Sequence, residues 1–426
     1  MTKGNALIFG LGLGALSATV ALIIGLAMPT LSPQLDNLSY RLRTYYRKLM
    51  PHPEFLPTPI PTAVAAAGLP SPTQTVPPTL PPSATPTATS LPAMATLLPS
   101  TATSTPLPTV TPTPAISLAA VSNQVELTGL THQWQTWNNC GPATIAMNMS
   151  FFGRPETQVE AAKFLKPNRD DKNVNPEELA AYARTVGLEA IVRRGGSLEQ
   201  LKRLVGNNLP VIAETWLIHD GDGLGHYRLI VGYDDSTGQL DTFDSLSGPN
   251  VKVNYQQFDA DWRVFNRVYI VVYPPEQAAA AAAIIGSDMD ETVMYERVAQ
   301  AATAEVAANP NDAIALFNQG EALTRLGRFE EAVTAFDRAR QIGLHWRRLW
   351  YQFTPFEAYY AVGRYQDVSA LAEATIKGAG GLEEAYYYHG LALQALGQPG
   401  AQEDFQAALD YNPNYAPAAE ALKLGN

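Results

Sequence analysis

The single cysteine of this 426-residue chain lies in the stretch QTWNNCGPATIAMNMSFFG, residues 135–153. A thiol does covalent chemistry as its thiolate, and the free N–H groups and dipole at a helix N-terminus favour that anion. The stretch reads as such a helix. Asn139 suits the cap, Pro142 the first turn, and Gly153 followed by Pro155 the end. Ile145, Met149 and Phe152 fall four and three apart and mark an apolar face. Cys140 is therefore expected at a helix N-terminus. A nearby base, itself held by a third group, would make it a nucleophile.

Those partners are found downstream. NLPVIAETWLI (208–218) and HYRLIVGYDD (226–235) read as strands, and the turn DDSTG joins the second to QLDTFDSL. The last two runs predict a hairpin centred near Ser236. In an antiparallel register about that centre, His226 faces roughly Leu246, and Asp244 is its diagonal neighbour within side-chain reach. Asp241 would instead face Val231, five residues or roughly 16 Å along the strand from His226, and point to the other side. Asp244 is the carboxylate expected to orient His226. His132 and His219 read as structural or surface residues. GDGLG, just before His226, reads as a mobile Gly-rich loop able to flex over a cleft. It is no phosphate cradle, because no strand–turn–helix frames it.

Composition narrows the remaining chemistry. A net charge of −11 and a pI near 5.1, with no basic patch, argue against a nucleic-acid partner. One cysteine makes no disulfide framework and no Cys-rich zinc site, and the six histidines (52, 132, 219, 226, 345, 389) do not fall at metal-ligand spacings. No metal and no cofactor are expected.

The chain divides by composition. Residues 6–29 carry no charge and are long enough to cross a hydrocarbon core of about 30 Å. GLAMPTLSP lacks an Ala-x-Ala-like cleavage site, so 1–30 reads as an uncleaved membrane anchor, followed by a juxtamembrane segment over 31–56. Residues 57–116 are mostly Pro, Thr, Ser and Ala without a charged residue, a semi-rigid spacer that could reach roughly 180 Å. Arg41, Arg43, Arg47 and Lys48 after the span would hold the following chain in the cytoplasm by the positive-inside rule. The charge-poor spacer, of the kind that crosses a cell wall or glycan layer, outweighs them. The expected topology is a single-pass protein of the cell membrane with its domains extracytoplasmic. Residues 117–275 have the size of one globular domain, 276–289 form an Ala-rich connector, and 290–426 are helical.

That helical part repeats. In NDAIALFNQGEALTRLGRFEEAVTAFDRARQIG (311–343), Gly320, Leu323, Gly327, Ala332, Phe336 and Ala339 stand at the spacings of a tetratricopeptide repeat. Gly390, Leu393, Gly397, Phe405, Ala408 and Pro413 repeat the pattern, YAVGRYQDVSALAEA fits around Gly363, and AEVAANPND reads as the end of a degenerate earlier repeat. The region resembles tetratricopeptide repeats, whose stacked hairpins bind peptides or protein segments. The aromatic cluster Trp346, Trp350, Tyr351, Phe353, Tyr359 and Tyr360 reads as core.

Residues 125–273 resemble the bacteriocin-processing (double-glycine leader) peptidase family of the papain-like cysteine peptidases, in its form outside transporters. The resemblance rests on QTWNNCGPATIAMNMSFFG, GHYRLIVGYDD and DSLSGPN. It implies an α+β papain-like domain with Cys140 as nucleophile, His226 as general base and then acid, and Asp244 as the orienting group. It also implies that Gln135 gives its side-chain amide, with the Cys140 N–H, to an oxyanion. Two positions depart from the pattern. Transporter-linked members have the glutamine six residues before the cysteine, whereas Gln135 is five and Gln133 seven before Cys140. Asp244 is followed by Ser245 instead of proline. The family's leader-peptide substrate belongs to exporters and does not carry over. The expectation is a membrane-tethered extracytoplasmic cysteine peptidase whose repeats bind protein or peptide; the alternative is a non-catalytic peptide-binding or scaffold protein. Protease added to whole cells should cut within 57–116 and yield the C-terminal fragment. A fragment formed only after lysis would place the domains in the cytoplasm.

Overall fold

The computed structural model describes residues 53–61, 118–119, 122–168, 171–219 and 222–424. The expected anchor and the spacer between 62 and 117 lie outside the described residues. Among the described residues, no helix is long and apolar enough to cross a membrane.

Residues 122–285 build a mixed α/β domain on one antiparallel sheet. Its strands are β1 (Gln124–Glu126), β2 (Glu189–Arg193), β3 (Val211–His219), β4 (Asp222–Asp234), β5 (Gln239–Asp244), β6 (Gly248–Asn254) and β7 (Tyr269–Tyr273). They run in the order β2-β7-β3-β4-β5-β6, with β1 on the far half of β4. Helices α1 (Cys140–Phe151), α2 (Gln158–Leu165), α3 (Pro176–Thr185), α4 (Leu198–Val205) and α5 (Tyr255–Trp262) cover it. Gly141 to Met149 are all buried, so α1 is enclosed on every side and has no single apolar face. Two of its interior side chains bond to the sheet and its edge: Thr144 Oγ1 donates to the Tyr227 carbonyl at 3.3 Å and Asn148 Nδ2 to the Pro210 carbonyl at 3.1 Å. These bonds fix the helix over β3 and β4.

The β4–β5 hairpin has the expected register near the site, with Leu229 facing Phe243 and Ile230 facing Thr242. A bulge at Val231 then moves Asp241 opposite Gly232 instead of Val231. The Gly-rich stretch differs from expectation. From Asp222 onward it is strand β4, paired with β3 to its tip at His219. Gly223 and Gly225 are needed because aromatic rings lie against the strand. A Cβ at Gly223 would stand 2.3 Å from Trp216, and one at Gly225 2.9 Å from Tyr351.

The Ala-rich connector is α6 (Ala278–Ile285), and its Ala281, Ile284 and Ile285 join the core of the sheet domain. After it, α7 (Glu291–Ala308) precedes the hairpins α8/α9 (Ala313–Arg325, Phe329–Ile342), α10/α11 (Thr354–Ala361, Tyr365–Ala379) and α12/α13 (Glu383–Leu396, Ala401–Tyr411). α14 (Ala416–Leu424) ends the described chain. Gly327, Gly363 and Gly397 make the three tight turns with φ of +73°, +75° and +65°. Helices cross closely where Gly320 and Gly390 admit the rings of Phe336 and Phe405, each 2.6 Å from where a Cβ would stand.

Between α9 and α10 the chain makes an excursion, residues 343–353, that packs on the sheet domain. Arg347 donates to the Gly223 carbonyl at 2.8 Å and pairs with Asp222 at 2.6 Å, while Tyr351 packs beside Trp216 and Phe265. Most of the predicted aromatic core is here, with Trp346 and Trp350 buried. A second contact joins α3 to α12, where Asn175 Nδ2 donates to Glu384 Oε1 at 2.8 Å. Burial, reinforced by Asp171, pushes the Glu384 carboxyl up to about 8, and burial raises Asp171, Glu178 and Glu383 as well. A raised folded-state pKa contributes stability that is complete below the unfolded pKa and is lost as pH rises through the folded one. The melting temperature should therefore fall between pH 5 and pH 8. Glu384→Gln should flatten that slope and melt higher than wild type at pH 8 in circular-dichroism scans.

Candidate active site

Cys140 is the first residue of α1 and is partly exposed. The loop before it is held by side chains of α2, a feature without a sequence signal. Asn139 does not cap the helix through its side chain; its Nδ2 donates instead to Gln158 Oε1 at 2.9 Å. Gln158 Oε1 also accepts from the Thr136 N–H at 3.0 Å, and Gln158 Nε2 donates to the Trp134 carbonyl at 2.7 Å. Gln133 Oε1 accepts from the Gln158 backbone N–H at 2.8 Å. Lys166 Nζ donates to the Asn138 carbonyl at 2.8 Å, holding the left-handed Asn138 (φ +51°). Asn139 was the natural cap by residue type, but the stronger demand comes from the buried Gln158 amide.

His226 lies on β4 with 1 % of its surface exposed, and Asp244 ends β5 with none. The two are joined at 2.9 Å through His226 Nε2 and Asp244 Oδ1. His226 Nδ1 has no hydrogen-bond partner by geometry among the described residues and is left for the Cys140 side. Asp244 Oδ1 also accepts the backbone N–H groups of Leu246 at 2.8 Å and Ser247 at 2.9 Å. Arg228 Nε donates to Oδ2 at 3.2 Å. Arg228 escaped the sequence reading, although it stands two residues after His226 and so on the same face of the strand. Asp241 is outside the site, paired with Lys252. His132 is structural, bonded through Nε2 to the Asp244 carbonyl at 3.0 Å.

Electrostatics follow from these contacts. Burial raises the Cys140 thiol pKa, but the interaction with His226, the Tyr227 backbone and the charge of Lys166 together bring it below its ordinary value. Burial disfavours the imidazolium of His226. The charge and hydrogen bond of Asp244, with Cys140, outweigh that and push it up to about 9. Burial likewise works against the Asp244 carboxylate and is overcome by His226 and the two N–H groups, which hold the acid well below its usual range. The set favours thiolate and imidazolium together at neutral pH.

Gln135 is anchored to the residue after Asp244. Its N–H donates to the Ser245 carbonyl at 2.9 Å, and the Ser245 hydroxyl donates to its Oε1 at 2.8 Å. That leaves the amide NH2 as the unengaged end among the described residues. Gln135 does not line the narrow cleft beside Cys140, whose walls include Gly141, Val174, Glu214, Tyr227 and Tyr351. Two of these were unforeseen. Glu214 is 4 % exposed, and its carboxyl makes no hydrogen bond among the described residues; burial, with Cys140 adding to it, pushes that carboxyl well above the usual range. Tyr351 comes from the repeat region and lies against Gly225.

Two stretches of the chain match known families. Residues 122–270 match the Peptidase_C39 like family, and residues 313–343 match the tetratricopeptide repeat. No curated protein matches the chain. Among solved structures, a putative C39-like peptidase from Bacillus anthracis is 17 % identical with a TM-score of 0.30, over 35 % of this chain and 96 % of that one. A double glycine motif protease from the AMS/PCAT transporter, in complex with its leader peptide, is 19 % identical with a TM-score of 0.28, over 35 % and 94 %. The peptidase domain of Streptococcus ComA, a bi-functional ABC transporter, is 18 % identical with a TM-score of 0.29, over 34 % and 99 %. The chain carries a C39-like peptidase-family domain with a tetratricopeptide repeat after it.

Two measurements probe the site directly. Iodoacetamide should alkylate Cys140 at pH 6 much faster than a free cysteine, and His226→Ala should remove most of that advantage; reaction only after denaturation would mean an inert thiol. Asp244→Ala should slow any hydrolysis by about 10³–10⁴-fold, while Asp241→Ala, which breaks only the Lys252 pair, should leave the rate within a few-fold.

Proposed function

We propose that the protein is a cysteine peptidase that cleaves amide bonds with Cys140, His226 and Asp244, tethered to the membrane by residues 6–29 with its domains outside the cytoplasm. The observation that carries the catalytic part is the buried His226–Asp244 pair beside the partly exposed Cys140 at the start of α1. The Cys140 thiolate attacks the substrate carbonyl carbon, forming a C–S bond and placing negative charge on the oxygen. The Cys140 N–H, which has no intrahelical acceptor, and the Gln135 NH2 are the donors assigned to that oxyanion. His226 then gives its proton to the leaving amine as the C–N bond breaks. Water, deprotonated by His226, hydrolyses the thioester and restores the pair. Asp244 holds the ring and its charge throughout.

The repeats are assigned to binding a peptide or protein partner, with no nucleic acid, metal or cofactor in the reaction. The tether rests on the charge-free span and the Pro/Thr-rich sequence after it. The narrow cleft, closed on one side by Tyr351, supports a second reading in which the domain holds peptides without cutting them. The two readings separate by labelling the intact protein with an electrophilic thiol probe and by incubating it with a mixed peptide library. A peptidase gives labelling and new peptide termini, and Cys140→Ala abolishes both. Hydrolysis should decline above about pH 9, where His226 loses the proton it must donate. Binding without new termini would favour the second reading.

A further inference from the structure

Residues 53–61, PEFLPTPIP, span the end of the juxtamembrane segment and the first residues of the expected spacer, yet they lie on the repeats roughly three hundred positions away. The segment is extended, and Phe55 forms an antiparallel bridge with His345. The Leu56 N–H donates to the Leu344 carbonyl at 2.8 Å, and the Trp346 N–H donates to the Glu54 carbonyl at 3.2 Å. Leu56 is 5 % exposed and joins the apolar cluster that contains Leu344, Val368 and Leu371. Phe55 covers Gly343, where a Cβ would stand 3.1 Å from its ring.

The backbone beyond Leu56 is read by two charged side chains. Arg340, 2 % exposed, donates from Nε to the Pro57 carbonyl at 2.9 Å and from Nη2 to the Thr58 carbonyl at 3.0 Å. Its Nη1 is held by Asp367 at 2.7 Å. The same Asp367 oxygen accepts the Ile60 N–H at 3.2 Å. Among the described residues, only this segment satisfies Nε and Nη2 of a guanidinium buried between α9 and α11. Buried donors of that kind are costly when left without acceptors. Prolines at 57, 59 and 61 stiffen the segment in an extended form and lower the entropy lost on docking. The contact has the form of peptide recognition: one apolar anchor, a row of carbonyls and two N–H groups.

We propose that the seam between α9 and α11 is a binding site for extended, proline-spaced segments with a leading leucine, and that residues 53–61 are its ligand in cis. The proposal does not depend on the peptidase reading. Its consequence concerns the spacer. With 53–61 docked, both ends of the 62–121 stretch are held on the same body, so the spacer does not set the distance between residue 53 and Cys140. Occupancy of the seam does. A competing segment of the same chemistry would release the whole reach of the spacer.

The test uses the full chain and a fluorescein-labelled PEFLPTPIP peptide, followed by fluorescence polarisation. Leu56→Asp should empty the seam and bind the peptide saturably, at least tenfold tighter than wild type, where the cis segment competes. Adding Arg340→Ala should abolish that binding, as should aspartate at the leucine position of the peptide. Unchanged circular dichroism and an unchanged Cys140 alkylation rate will show that Leu56→Asp is folded. No binding to the folded variant, or equal binding to variant and wild type, overturns the proposal. Should Leu56→Asp unfold, a protease site placed near residue 90 of the wild-type chain serves instead. After cutting, excess peptide should displace the N-terminal piece from a folded remainder; a piece that cannot be displaced, or a remainder that unfolds, overturns it.

Discussion

A carboxylate taken out of water must have donors for its lone pairs, and Asp244 draws them from three places. Its two oxygens accept the ring of His226, the guanidinium of Arg228 and the backbone N–H groups of Leu246 and Ser247. The architecture around it follows from that demand. The β4–β5 hairpin must keep a register that faces residues 226 and 228 toward 244, and the turn after β5 must present two N–H groups. The bulge at Val231 falls beyond this region and shifts only the pairs from Asp241 to the turn. With Asp244 held charged, the imidazolium is favoured, and through it the thiolate at the start of α1.

The helical region is part of the same body. Its excursion after α9 touches two surfaces with consecutive residues: Leu344, His345 and Trp346 meet the 53–61 segment, while Arg347 and Tyr351 meet β4 beside His226. Gly223 and Gly225 are the complement on the sheet side, since any side chain there would enter Trp216 or Tyr351. A strand that would otherwise end in a loose hairpin is thereby clamped next to the histidine. On the opposite flank, Glu384, its carboxyl pushed up by burial, accepts from Asn175 and brings α12 to the loop carrying Asp171 and Val174, another wall of the cleft. The repeats thus line the cleft through Tyr351 and support a second wall from behind.

Much of this was legible in the sequence because it is local or periodic. A helix beginning at Cys140, the hairpin about Ser236, the choice of Asp244 over Asp241 and the turn glycines of the repeats all follow from spacing, and each needs only residues close along the chain. What spacing could not supply involves partners far apart. Asn139 was expected to cap α1 until Gln158, on another helix, claimed its amide. GDGLG read as a mobile loop because a glycine that admits an aromatic ring looks the same in sequence as one that admits flexibility. Arg228, Ser245, Glu214 and Tyr351 carry no motif, and their roles exist only once β4, β5 and the repeat excursion meet. The apolar and proline-spaced residues 53–61 were read as juxtamembrane chain and spacer, since nothing local marks a ligand. By itself the sequence determined the elements and the pairing of His226 with Asp244, because backbone periodicity and turn chemistry act over a few residues. Only the tertiary structure decided what closes the cleft and what occupies the repeats, because buried donors and rings find partners by proximity in space, whatever their separation along the chain.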